Sequence, residues 1–130
     1  MDDARVTELV AAAREVRENA HAPYSGFKVG AAILAGGRLF TGVNVENAAY
    51  PLSVCAERNA VAAMVAAGER SIDAVAVVTA ADAPTPPCGG CRQVLFEFGP
   101  GATVFAEVLS GSRVAWVVED LLPDAFTFRR

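Results

Sequence analysis

The segment SIDAVAVVTA (71–80) constrains the fold more than any other: it is a nearly continuous apolar run bounded by turn residues. A strand written this way is buried on both faces, as in the covered sheets of α/β proteins. Its neighbours supply the cover. CAERNAVAAMVAAG (55–68) is strongly helical and stops at Gly68, a suitable C-terminal cap. CGGCRQVLFEFG (88–99) starts loosely and continues as a helix to Gly99. Between them, ADAPTPP (81–87) is an irregular loop forced by three prolines.

The rest of the chain extends the same pattern. Residues 3–20 form an amphipathic helix with Val6, Leu9, Val10, Ala13, Val16 and Ala20 at helical spacing, capped by Asp2 or Asp3. HAPYSG (21–26) breaks it. FKVGAAIL (27–34) and RLFTGVNV (38–45) flank Gly36-Gly37 as a hairpin, and ENAAYPLS (46–53) is a loop. ATVFAEV (102–108) and RVAWVVE (113–119) are strands, and DLLPDAFTF (120–128) closes the chain as a short helix or turn. The order α-β-β-α-β-α-β-β-α predicts one helix-covered α/β sheet, made mixed by the hairpin. A length of 130 residues suits a single domain over 1–130. Hydrophobic residues make up 53% before the 11 glycines are added. Soluble domains average roughly 45–50% with glycine included. Twenty-six of the residues are alanine, and the surplus of apolar surface points to subunit interfaces.

Charge removes several functions. Eleven basic residues face 15 acidic ones, and the longest Lys/Arg cluster is the terminal pair Arg129–Arg130. A protein that grips phosphate backbones carries a basic patch, so no nucleic-acid partner is expected. The start is acidic and amphipathic, unlike a signal peptide, and no apolar run approaches the ~18 residues needed to span a bilayer. No membrane partner is therefore expected, and the location is expected to be cytoplasmic. Three cysteines cannot all pair within one chain, and in a reducing compartment they read as metal ligands or reactive thiols.

Their spacing carries the chemistry: Cys55-Ala56-Glu57, then Pro87-Cys88-Gly89-Gly90-Cys91. Both motifs fall where a loop becomes a helix, and the positive end of a helix dipole favours a thiolate. Three thiolates fill three positions of a tetrahedral zinc and leave the fourth for water, the arrangement of a catalytic site. The single histidine, His21, lies in another loop and has a local hydrogen-bonding role instead. Three thiolates leave the unit negative, which a nearby cation offsets; Arg58 and Arg92 are the candidates. Glu57, separated from Cys55 by one residue, can reach a metal-activated water without ligating the metal. Hydrolytic deamination needs such a carboxylate to move protons. The assembly matches the known pattern of zinc deaminases, including the P-C-x-x-C element. A redox C-x-x-C pair leaves Cys55 and Glu57 unexplained, and a structural zinc wants a fourth ligand.

With YSGFKVGAA (24–32), GVNVENAAY (42–50), CAERNA (55–60), PCGGCRQVL (87–95) and LLPDAF (121–126), the chain resembles the small, homo-oligomeric cytidine deaminases. The resemblance implies a three-layer α/β/α fold around a five-stranded mixed sheet. It implies one zinc per subunit on Cys55, Cys88 and Cys91, with Glu57 as the proton shuttle. It places Phe27 beside the nucleoside, Asn44 and Glu46 on the ribose hydroxyls, and the Ala56 backbone at the pyrimidine edge. It makes Tyr50 and Phe126 aromatics contributed across the subunit boundaries of a homotetramer with shared active sites, Phe126 stacking on the base in a neighbour. The implied reaction is deamination of cytidine and 2′-deoxycytidine. Glu46 in a sugar pocket repels phosphate, so a free nucleoside rather than a nucleotide is expected. Two alternatives stay open: a deaminase of another cytosine nucleoside such as blasticidin S, and a zinc-binding module without turnover. The loop AADAPTPP, with its Pro86-Pro87 pair, departs from the family pattern, and the segment FAEVLSGS (105–112) carries no scorable match to it.

Overall fold

A computed structural model of the protein describes residues 1–128; the Arg129–Arg130 pair lies outside the described residues. Helix α1 spans Asp3–Arg17. The Asp2 carboxylate caps it by accepting the Arg5 N–H at 2.8 Å, which satisfies one of the first-turn donors that lack a helical partner. Val6, Leu9, Val10 and Ala13 are buried along the expected stripe. The helix ends at Arg17 rather than Ala20, and Arg17 itself is buried. Its Nε donates to the Lys28 carbonyl at 3.0 Å. Gly30 permits this approach: a Cβ there would lie 2.1 Å from the Ala13 carbonyl oxygen.

Strands β1 (Gly30–Ala35) and β2 (Arg38–Val43) pair antiparallel as the glycine pair predicts. Gly36 and Gly37 have φ of 59° and 75°, the left-handed values a two-residue hairpin turn of this twist requires. Helix α2 (Ala56–Ala66), strand β3 (Ala74–Thr79), helix α3 (Gly89–Phe98) and strands β4 (Thr103–Val108) and β5 (Arg113–Val117) follow. The sheet order is β2-β1-β3-β4-β5. Only β3 and β4 run parallel, so the sheet is mixed.

Strand β3 is buried at every position, as its apolar run demands. Its side chains alternate between two cores. Val75 and Val77 join Ile33, Met64 and Leu95 under α2 and α3. Ala76 and Val78 join Leu9, Val10 and Leu34 under α1. The result is a three-layer α/β/α arrangement. Two details differ from the sequence reading. The loop at 46–53 contains a 3₁₀ turn, Tyr50–Leu52. The closing segment holds no α-helix: a 3₁₀ turn at Val118–Leu121 is followed by turns. Pro123 supplies no N–H, and Asp124 has a positive φ of 55°, so helical hydrogen bonding stops there. Among the described residues no helix is long and apolar enough to cross a membrane.

The sheet register places Gly30, Val43 and Val78 side by side at one end. The N-termini of α2 and α3 open at that end, and everything of chemical interest gathers there.

Candidate active site

Cys55 is the N-cap of α2 and Cys88 the N-cap of α3, with Cys91 one turn into the latter. Cys55 Sγ lies 3.8 Å from Cys88 Sγ, and Cys88 Sγ lies 3.3 Å from Cys91 Sγ. All three sulfurs fall within 4.8 Å of one another. A tetrahedral zinc with bonds of about 2.3 Å sets its sulfurs about 3.8 Å apart, so these three thiols fit that ion with little adjustment. The donor set agrees, since thiolates prefer a borderline-soft cation. Cys88 is exposed and Cys91 buried, so the cluster opens toward solvent on one side.

The cluster divides its protons unequally. A hydrogen bond from the Cys91 thiol, with help from Cys88 and the Arg58 charge, pulls the Cys55 thiol down to about 6 against burial. Cys91 is held far above the ordinary thiol range by its bond to Cys55 and by burial. Cys55 is thus the thiol of the pair that ionises first, and metal binding displaces the protons that remain on its ligands.

Glu57, in the first turn of α2, is 5% exposed. Burial pushes its carboxyl up to about 7, and the charge of Cys55 adds to the effect. Its own backbone N–H and the neighbouring Cys91 thiol partly offset that rise. A buried carboxyl titrating near neutrality can give and take a proton at working pH. It lines a cavity of about 250 Å³ with Phe27, Val29, Ala56 and Thr85. A second cavity of about 530 Å³ adjoins it and is lined by Tyr24, Ser25, Glu46 and Tyr50. Asn44 and Cys55 line both.

In the larger cavity the Glu46 carboxylate is held at three points. Its Oε1 accepts the Tyr24 N–H at 3.0 Å and the Ser25 N–H at 3.1 Å. Its Oε2 accepts the Ser25 hydroxyl. These bonds, the Ser25 hydroxyl foremost, keep its carboxyl below the usual range. Asn44 clamps the adjacent strand lead-in: its Nδ2 donates to the Phe27 carbonyl at 2.8 Å, and its Oδ1 accepts the Val29 N–H at 2.8 Å. It therefore fixes Phe27 as well as lining the pocket.

The structure thus brings Cys55, Cys88, Cys91, Glu57, Ala56, Phe27, Asn44, Glu46 and Tyr50 to one end of the sheet. Phe126 is not among the residues lining either cavity; it is 73% exposed, and its carbonyl accepts the Gln93 Nε2 at 3.0 Å. Arg58 is exposed and acts on Cys55 through its charge, with no hydrogen bond to a thiol among the described residues. Arg92 is a brace: its Nε donates to the Pro87 carbonyl at 2.8 Å and its guanidinium to the Leu121 carbonyl at 2.9 Å. His21 pairs through its backbone with Asn44 and Glu46, consistent with a local role. Sequence reading missed Ser25 and Thr85. Ser25 had a signal, a hydroxyl before Gly26 in a turn. Thr85 sits in an aperiodic loop and had none.

Residues 4–107 match the family model described as the cytidine and deoxycytidylate deaminase zinc-binding region. A cytidine deaminase of Sporosarcina psychrophila is 45% identical over 94% of this chain and 91% of its own length. The crystal structure of cytidine deaminase from Burkholderia pseudomallei superposes with a TM-score of 0.91 at 46% identity, covering 97% of this chain and all of that one. That of the Mycobacterium tuberculosis cytidine deaminase gives 0.83 at 38% identity, covering 98% of this chain and 100% of the other. A zinc-sized thiol cluster, a buried carboxyl beside it and matches spanning nearly the whole chain have one common explanation: this chain belongs to the cytidine deaminase family.

Proposed function

We propose that the protein catalyses the hydrolytic deamination of cytidine and 2′-deoxycytidine to uridine and 2′-deoxyuridine, releasing ammonia, as part of pyrimidine salvage. The observation that carries this reading is the placement of Glu57 in the wall of the same cavity as Cys55 and Cys88. Zinc held by Cys55, Cys88 and Cys91 supplies, when bound, the Lewis acidity that makes water a nucleophile at neutral pH. Glu57 is the proton shuttle. It takes a proton from the attacking water and passes it to the ring nitrogen, then takes the second proton from the hydroxyl now on the ring carbon and gives it to the departing amine. Its buried setting suits a group that must be both base and acid in one turnover.

The remaining residues bind and orient. Phe27 lies against the nucleoside and the Ala56 backbone meets the pyrimidine edge. Asn44 and Glu46 take the ribose hydroxyls. The negative Glu46 disfavours a phosphate on the sugar, so nucleosides are preferred to nucleotides. Tyr50 and Phe126, at 85% and 73% exposure, are large aromatics left uncovered in one subunit. That exposure supports a homotetramer in which Phe126 stacks on the base held by a neighbour. A reducing cytoplasm, where thiolates stay available to metal, suits the three free cysteines.

The test is ammonia release from cytosine, cytidine, 2′-deoxycytidine, cytidine monophosphate and blasticidin S. Turnover of the two nucleosides, lost on chelation and restored by zinc, is expected. A zinc-loaded protein that leaves both untouched overturns the proposal, and turnover of blasticidin S alone transfers it to that substrate.

A further inference from the structure

Within the larger cavity one hydroxyl joins two residues of the proposed nucleoside site. Ser25 Oγ accepts the Phe27 N–H at 3.0 Å and donates to Glu46 Oε2. A hydroxyl has a single proton. With a lone pair of the oxygen turned to the Phe27 N–H, that proton is directed at the carboxylate. Glu46 in turn has about four acceptor positions on its two oxygens. The Tyr24 and Ser25 N–H groups both engage Oε1, and the Ser25 hydroxyl takes one position on Oε2. Oε2 therefore keeps acceptor capacity, and Glu46 lines the cavity together with Ser25 and Asn44.

We propose that Ser25 is a positioning residue that orients the Glu46 carboxylate, so that Oε2 presents its remaining acceptor position to a sugar hydroxyl. The proposal rests on the nucleoside reading above and adds a determinant to it. Ser25 touches no reacting atom, so it acts on binding of the sugar and not on the chemistry of the base. Phe27 does not depend on it for placement, because Asn44 holds that segment independently through the Phe27 carbonyl and the Val29 N–H. Loss of the hydroxyl therefore frees Oε2 to swing about Oε1, which the Tyr24 and Ser25 N–H groups still hold, while leaving the base side of the cavity in place. Ser25 is exposed and makes no part of the core, so its variants fold.

Steady-state kinetics on zinc-loaded Ser25→Ala, Ser25→Thr and Glu46→Ala, with cytidine and 2′,3′-dideoxycytidine as substrates, tests this. Ser25→Ala is expected to raise KM for cytidine roughly tenfold, the effect of one hydrogen bond to a charged group, with kcat changed less than about twofold. Ser25→Thr, which keeps the hydroxyl, restores most of that loss. For the dideoxy substrate, which offers no ring hydroxyl, Ser25→Ala and the unaltered protein give the same KM. A Ser25→Ala loss of equal size on both substrates overturns the proposal, as does Thr behaving like Ala. If Glu46→Ala raises KM for cytidine and Ser25→Ala does not, the positioning role alone is refuted. If Glu46→Ala also leaves KM unchanged, the ribose assignment fails and takes this proposal with it.

Discussion

Glu57 shows how one backbone position joins two requirements. As the second residue of α2 it lies next to the Cys55 N-cap, and its side chain is turned into the protein rather than into water. Burial then raises its carboxyl to about 7. The folded value stands above the unfolded one, so the native state holds the proton more tightly between about 4.5 and 7. Stability from this group is present at low pH and falls as pH rises through that window. In zinc-free protein, Glu57→Gln removes the charge that must be buried. It is expected to stabilise the fold at pH 8 by about 2–3 kcal/mol and to leave it nearly unchanged at pH 4.5. Thermal melts of both chelated proteins at the two pH values check this; an equal difference at both excludes burial as the cause. With zinc bound, the same variant is expected to retain the metal and to lose about 10²–10⁴ in kcat, the range for a positioned acid–base group. Metal content by atomic emission and turnover of cytidine measure the two separately. The spacing of Cys55, Glu57, Cys88 and Cys91 was readable from the chain because each pair lies within one helical turn. The link between the two motifs came from ligand count and the deaminase pattern rather than from spacing, since Cys88 lies 33 positions beyond Cys55 and only folding brings their sulfurs together.

Elements decide where those residues point. Helix α2 lies directly on β2, and Gly42 is the reason it can. A Cβ on that glycine would stand 2.4 Å from the Ala60 nitrogen and 2.5 Å from the Ala56 carbonyl oxygen. Both are backbone atoms and cannot swing aside. Gly42→Ala is therefore expected to lift the first turn of α2, which carries Cys55, Ala56 and Glu57. Overpacking of this kind costs about 1–3 kcal/mol, and a Tm decrease of roughly 5–10 °C with a fall in zinc affinity is expected. Gly101→Ala, where a Cβ meets open space, is the control and should melt within about 1 °C of the parent. Similar melting of the two variants would show that the close approach does not constrain the helix. At this scale periodicity was legible: the hairpin, the buried strand and both site helices lie where their patterns put them. Helix ends were less so. Arg17 displaces Val16 from the buried stripe because its guanidinium found the Lys28 carbonyl, a tertiary partner no local pattern encodes. The closing segment took the turn rather than the α-helix of its two readings, with Pro123 and the positive φ of Asp124 stopping it after one 3₁₀ turn.

For the whole molecule, the proposed tetramer would draw one site from more than one subunit. In one subunit Phe126 is not among the residues lining either cavity, and Tyr50 lines the larger one with most of its surface exposed. If Phe126 serves a neighbour, a site uses Glu57 from one chain and Phe126 from another. Subunits of Glu57→Gln and Phe126→Ala, each poorly active alone, should then form mixed oligomers with some sites intact in both residues. Activity of the denatured and co-refolded mixture is expected to exceed the sum of the two separately refolded proteins several-fold. Strict additivity would place Phe126 in its own subunit's function or in none. The amino-acid sequence by itself determined the elements, the layering and the ligand types, because hydrophobic period and side-chain chemistry are local properties. Only the tertiary structure decided that Cys55 and the Cys88–Cys91 pair share one cluster, that Asn44 clamps Phe27, and that Ser25 braces Glu46. Those contacts join residues from different loops at one end of the sheet, and their distances follow from strand register and helix packing, which no local stretch of chain contains.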